Sequence, residues 1–135
     1  MSQDFQKPSI AIPESDHERL AALADVLARR NADLADQLFT ELERAEILPA
    51  GATRDVVRMG STLDYRTASG EVRTATLVFP GDEDIAQGRI SVLTPIGVAL
   101  IGLAVGDNME WRTPDGRTQS LTVTRIAPAR ATEAV

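Results

Sequence analysis

The sequence predicts an α+β protein: a short N-terminal antiparallel helical hairpin, then an antiparallel β domain with one short inserted helix. Three observations carry this. Leucines recur at helical spacing in two neighbouring stretches, Leu20, Leu23 and Leu27 and then Leu34, Leu38 and Leu42. Short runs rich in Val and Thr follow, separated by the turn sequences Ala68-Ser69-Gly70-Glu71 and Pro114-Asp115-Gly116. Among them, Ile90-Ser91-Val92-Leu93 leads through Thr94-Pro95 into a second apolar run, the pattern of a buried strand feeding a capped helix.

Residues 1–9 are polar, contain Pro8 and are expected to form a flexible tail. Ile10-Ala11-Ile12 is a short apolar lead-in that Pro13 interrupts. Ser15 followed three residues later by Glu18 has the spacing of a capping box and opens the first helix. The polar run Arg29-Arg30-Asn31-Ala32-Asp33 holds a turn, and a second helix is expected over about 33–46, with Leu34, Leu38, Leu42 and Ala45 on its stripe. Two narrow apolar stripes joined by a short connector pack against each other, so 10–47 reads as a short coiled-coil hairpin. Periodicity leaves open the alternative that both helices cover the sheet.

Leu48-Pro49-Ala50-Gly51 breaks the helical pattern and serves as a linker. The β domain is expected over 53–127, folding without the helices, with strands at 56–66, 72–79, 90–93, 108–113 and 118–126 and a bulge or bend at Gly60. The loop Pro80-Gly81-Asp82-Glu83-Asp84 places three carboxylates together; they suit a hard cation, although a solvated loop is the commoner meaning of such a run. Before the fourth strand, Thr94 can cap the inserted helix by accepting a backbone N–H, and Pro95 fits the first helical position, where no donor is needed. Gly102 and Gly106 allow the turns that end this helix and start the next strand. Residues 128–135 are small and polar and are expected to fray as a second flexible tail.

Composition removes several function classes. The chain has 135 residues, no cysteine and one histidine, His17, which excludes a disulfide framework, thiol chemistry and a Cys- or His-ligated metal. A net charge of −6 argues against tight nucleic-acid binding. No apolar run has the length of a membrane span and the first residues lack a signal-peptide pattern, so a cytoplasmic protein is expected. Lys7 is the only lysine among 14 basic residues. Arginine favours planar paired contacts, though a GC-rich genome gives the same bias. No nucleophile–base constellation and no phosphate-cradling glycine loop is present. The expectation is a non-enzymatic chain with no cofactor and no metal.

The residues Gly88-Arg89-Ile90-Ser91-Val92-Leu93-Thr94-Pro95-Ile96-Gly97-Val98-Ala99-Leu100-Ile101-Gly102, followed by Val105-Gly106-Asp107, resemble the signature of the C-terminal domain of the Gre transcript-cleavage factors, and the match extends over 56–126. With a helical region in front, the whole chain resembles the Rnk-type regulators of nucleoside diphosphate kinase, relatives of the Gre factors that bind RNA polymerase. The resemblance implies an FKBP-like fold for 53–127. Some FKBP-like proteins isomerise prolyl bonds, but fold does not imply function, and aromatics at 4% are too few for an aromatic-lined isomerase cleft.

The resemblance further implies a transcription regulator, monomeric, that binds RNA polymerase at the rim of the secondary channel and competes with Gre-type factors. It assigns polymerase contact to Leu93, Thr94, Pro95, Ile96 and Gly97. In the Gre factors a longer hairpin carries acidic residues at its tip, which hold a second magnesium ion at the polymerase active site. Here the tip reads Arg29, Arg30, Asn31, Asp33 and Asp36. Asp33 and Asp36 are the only plausible ligands, but Asp33 also suits an N-cap, and neighbouring arginines oppose capture of a divalent ion. An arm of about 15 residues rises roughly 23 Å, short of the Gre hairpin. The alternatives are a weak Gre-like cleavage factor and a binding module for a different protein partner.

Overall fold

The computed structural model describes residues 7–113 and 115–127. The tails expected at 1–9 and 128–135 lie outside the described residues except for 7–9, as does Pro114 of the expected turn.

Ile10-Ala11-Ile12 proves to be more than a lead-in. It runs into a strand, β1 (Ala11–Pro13), paired in parallel with β2 (Glu46–Leu48). Helices α1 (Glu14–Leu27) and α2 (Ala32–Arg44) lie between these strands in the chain. His17 Nε2 of α1 is 3.0 Å from the carbonyl oxygen of Leu42 in α2, so the start of one helix lies beside the end of the other.

The helix starts differ from expectation. Pro13 takes the N-cap position of α1, and Ser15 and Glu18 fall inside the helix, so no capping box forms. The Pro13 backbone is already extended, at φ −58° and ψ 143°, and leads directly from strand into helix. In α2 the cap is Asn31, whose side-chain oxygen accepts the Leu34 N–H at 3.1 Å. Asp33 is therefore a first-turn acid that favours the positive end of the helix. The helix ends at Arg44 because Ala45 turns extended to enter β2.

The second half forms a five-stranded sheet in the order β5-β4-β3-β7-β6, from β3 (Thr62–Thr67), β4 (Val72–Val78), β5 (Arg89–Ser91), β6 (Asn108–Arg112) and β7 (Thr118–Ile126). All neighbours are antiparallel except β4 and β5. That pair is parallel because a crossover through a 3-10 helical turn, Ile85–Gln87, brings the chain back in the same direction. The strand expected at 56–66 is cut short. Val56 makes only an isolated bridge to Ala104, and Ser61 N–H donates to the Arg58 carbonyl to close a turn with Gly60 at φ 88°. Pairing starts at Thr62, and the register shift against β7 falls between Asp64 and Tyr65 instead of at Gly60. The other strands lie within two residues of expectation.

Alternation sets the faces of the sheet. Leu63, Tyr65, Ala75, Leu77, Leu121 and Val123 point into the core. On the other face Thr62 and Thr76 share a hydroxyl hydrogen bond of 2.8 Å, and Thr74 donates to Asp64 at 2.7 Å. Leu20, Ala24, Leu34, Leu38 and Leu42 of the helices belong to the same buried cluster as the sheet residues. The helices thus pack on each other and on the sheet, and their buried leucines join the core that residues such as Leu63, Leu77, Leu100 and Leu121 form within 53–127. Among the described residues no helix is long and apolar enough to cross a membrane.

Leu38→Ala is expected to lower stability by about 2–5 kcal/mol, the range for emptying a fully buried leucine site. Because its cluster spans helices and sheet, urea unfolding followed at Trp111 and by helical circular dichroism should shift together in one transition; separate midpoints would contradict the shared core.

Asp16 of α1 supplies a pH test. Its carboxylate accepts the Met59 N–H at 3.1 Å across to the sheet domain. Burial nonetheless pushes its pKa above the ordinary value, outweighing that hydrogen bond and the charges of Arg58 and Arg19. A raised folded-state pKa means that the group's contribution is fully present below its unfolded value, about 3.9, and is lost as pH rises through the folded value. Asn in its place stays neutral and still accepts from Met59. The stability of Asp16→Asn relative to the parent should therefore rise from about pH 4 upward and then level off. A flat difference across pH would rule the burial argument out.

Candidate docking site

Three side-chain hydrogen bonds shape the turn between β5 and helix α3 (Pro95–Leu100). Ser91 Oγ accepts the Leu93 N–H at 3.0 Å. Thr94 Oγ1 donates to the Ser91 carbonyl at 2.8 Å and accepts the Gly97 N–H at 3.0 Å, so the hydroxyl is used in both directions. Pro95 occupies the first turn, as its missing N–H allows. These are the cap and turn roles that the sequence suggests.

Gly97 has a harder constraint. A Cβ there would stand 2.3 Å from the Ser91 carbonyl oxygen and 2.7 Å from Val92 Cα, both backbone atoms. Any side chain would push α3 off the end of β5. Gly97 is also buried, which places it beneath the surface that Leu93, Thr94, Pro95 and Ile96 present, all four half-buried. Leu93 and Ile96 also pack against the core. Gly97 therefore shapes this turn from below.

Beside the turn lies a cleft of about 260 Å³. Its apolar floor comes from Pro95, Val98 and Ala99 of α3 with Met109 and Trp111 of β6. Asp36, Gln37 and Thr40 of α2 form a polar wall. Glu110 and Arg112 of β6 and the Lys7–Glu41 pair complete the lining. Helical and sheet segments thus build one concavity together.

The residues read as a hairpin tip lie at the turn between the helices and in the first two turns of α2. Asp36 lines the cleft, whereas Arg29, Arg30, Asn31 and Asp33 are exposed around the turn between the helices. The Asn31 side chain is already engaged as the α2 cap. Among the described residues no group of three or more acidic or imidazole side chains could hold a metal ion. In the loop at 80–84, Glu83 accepts the Gly81 N–H.

Glu41 escaped the sequence reading. It is only 2% exposed, and its carboxylate pairs with Lys7 Nζ at 2.9 Å and with the Arg44 guanidinium at 2.8 Å. Arg44 also donates to the Pro8 carbonyl, which ties the incoming chain to α2. The available signal was position: Glu41 lies three residues after Leu38 and seven after Leu34, on the apolar stripe. A carboxylate there is tolerated only with partners. The place of Trp111 in the cleft is likewise hidden in the sequence, since nothing local shows that β6 lies next to α3.

Thr94→Ala is expected to cost about 1 kcal/mol through loss of the cap, and Thr94→Ser much less. Gly97→Ala should cost more than Thr94→Ala, because its new methyl meets backbone that cannot yield locally. Urea midpoints of the three variants check this order, and a Gly97→Ala protein as stable as the parent would refute the close approach.

Residues 52–128 match the family described as transcription elongation factor, GreA/GreB, C-term, and residues 8–48 match the Rnk N-terminus. The regulator of nucleoside diphosphate kinase from Escherichia coli (strain K12) is 38% identical over 124 residues, covering 90% of this chain and 91% of the relative. Transcription elongation factor GreA from Rhodospirillum rubrum is 37% identical over 124 residues, covering 84% and 79%. Among solved structures, a prokaryotic transcription elongation factor GreA/GreB from Nitrosomonas europaea superposes with a TM-score of 0.69 at 37% identity, covering 88% of this chain and 99% of that one.

Proposed function

The chain belongs to the GreA/GreB C-terminal family and carries an Rnk N-terminus ahead of that domain, and from this premise we propose that it is a regulator that binds RNA polymerase at the rim of the secondary channel, competes there with Gre-type factors and performs no chemistry of its own. In this reading 53–127 is an FKBP-like docking domain, 10–47 is a short helical hairpin, and the protein acts as a cytoplasmic monomer.

The observation that carries the proposal is an imbalance between the two parts. The turn from Leu93 to Ile96 is built in full, with its cap hydrogen bonds and its glycine beneath. The helices meanwhile have only 14 and 13 residues. At 1.5 Å per residue each rises about 20 Å, which suits docking at a channel mouth better than delivering a ligand deep inside. Two arginines sit at the exposed turn beside Asp33, and positive charge next to a carboxylate opposes divalent capture. A relative named for regulation of nucleoside diphosphate kinase need not touch that kinase; an effect on its expression through the polymerase would account for the name.

Core RNA polymerase should retain the protein in a pull-down, and excess Gre factor should release it. Ile96→Asp should abolish retention while leaving the melting temperature close to that of the parent, because Ile96 is only half-buried. If fold and binding are lost together, Ile96 is a core residue and no docking contact.

Added to arrested elongation complexes with ample Mg²⁺, the protein should not accelerate transcript cleavage but should inhibit cleavage driven by a Gre factor. Cleavage that rises, and falls back in the double variant Asp33→Ala, Asp36→Ala, would show that the helical turn reaches the catalytic metal. Neither stimulation nor inhibition would show that the chain binds a different partner.

A further inference from the structure

The cleft between α2, α3 and β6 joins buried core residues to charged ones in a single lining. Its floor is apolar, from Pro95, Val98, Ala99, Met109 and Trp111. Its rim carries carboxylates from both segments, Asp36 on α2 and Glu110 on β6. Among the described residues neither of these has an ion-pair partner, whereas Glu41 deeper in the lining is already neutralised by Lys7 and Arg44. One cation, Arg112, shares the rim. Among the described residues, the charged side chains of the lining without an ion-pair partner are thus two carboxylates and one cation, on a chain whose net charge is −6. A volume of about 260 Å³ is below the roughly 300–1,000 Å³ of small-molecule sites, so the cleft suits a side chain of a macromolecular partner better than a cofactor.

We infer that the helical segment is a specificity element of the docking site: α2 supplies an acidic wall to a composite cleft that receives, from RNA polymerase, an apolar side chain flanked by lysine or arginine. This rests on the polymerase-binding reading above and adds to it a second contact, continuous with the turn at Pro95, made by residues outside the GreA/GreB-like domain. Asp36, read from the sequence as a residue of the hairpin tip, lines the cleft and acts there as a charge. The Lys7–Glu41–Arg44 cluster holds the wall in place by fastening the incoming chain across α2 through the Pro8 carbonyl. Apolar contact on the floor supplies affinity, and the two carboxylates select for basic flanks and speed the encounter.

The test measures binding of the full chain to core RNA polymerase at low and at high salt. Asp36→Lys should weaken binding about tenfold at low salt and remove much of the salt dependence, with Asp36→Asn intermediate. Glu43→Lys makes the same charge change about two helical turns further along α2, at an exposed residue outside the cleft lining, and should leave the affinity within about twofold. Trp111→Ala should weaken binding at both salt concentrations alike. The emission of Trp111, the only tryptophan, reports in the free protein whether Asp36→Lys leaves the cleft intact; if it does not, Asp36→Asn carries the comparison.

Equal losses from Asp36→Lys and Glu43→Lys would mean that only overall charge matters and would overturn the specific wall. Binding that Ile96→Asp abolishes but Asp36→Lys and Trp111→Ala leave unchanged would overturn the composite cleft while the docking turn stands. A parent protein that binds no polymerase would overturn the underlying reading as well.

Discussion

The approach of α3 to the end of β5 is the constraint from which the sheet domain is built. At Gly97 the two backbones come so close that a methyl group would meet a carbonyl oxygen at 2.3 Å. With that distance set, Thr94 can reach both the Ser91 carbonyl and the Gly97 N–H. Val98, Ala99 and Leu100 are then carried into the core, and α3 comes to rest against β6. Relaxing the contact would move the floor of the cleft and the turn above it together. The same few residues thus determine both how the domain packs and which surface it offers.

This local character explains why the centre of the molecule was legible in its sequence. A Thr-Pro pair opening an apolar run, with glycines at its end, states cap, first turn and stop within a dozen residues. The final hairpin was legible for the same reason: turn residues bracketed by alternating strands leave little choice of register. What could not be read were pairings across long separations. β1 finds β2 from 35 residues away in the register Ala11 to Glu46, and neither strand has more than three residues to announce it. The parallel pairing of β4 and β5 depends on a crossover whose 3-10 turn carries no periodic pattern. Of the site, the cap turn was visible and the cleft was not, because its lining comes from α2, α3 and β6, and sequence spacing says nothing about their assembly.

Glu41 shows a related limit. Charged side chains usually lie at the surface, and along α2 that holds for Asp33, Asp36 and Glu43. Glu41 breaks the rule because the chain itself delivers two cations to it, one from the same helix and one from 34 residues earlier. A buried carboxylate with two such partners holds a definite arrangement more than it adds stability, since desolvation offsets much of the attraction. Its effect here is to determine where residues 7 and 8 run relative to α2.

The parallel pair β1 and β2 gives the helical segment its two feet side by side. The Ala11 N–H bonds the Gly102 carbonyl, and Gly102 lies so near that a Cβ would stand 2.9 Å from that of Ile10, so the feet rest directly on the loop after α3. A segment that leaves and returns at one point is modular in length. Equal numbers of residues added to both helices at their far end would lengthen the arm and leave its base and the sheet undisturbed. The length of the arm and the foundation it stands on are therefore separable in this architecture: one can drift by whole helical turns while the other is held.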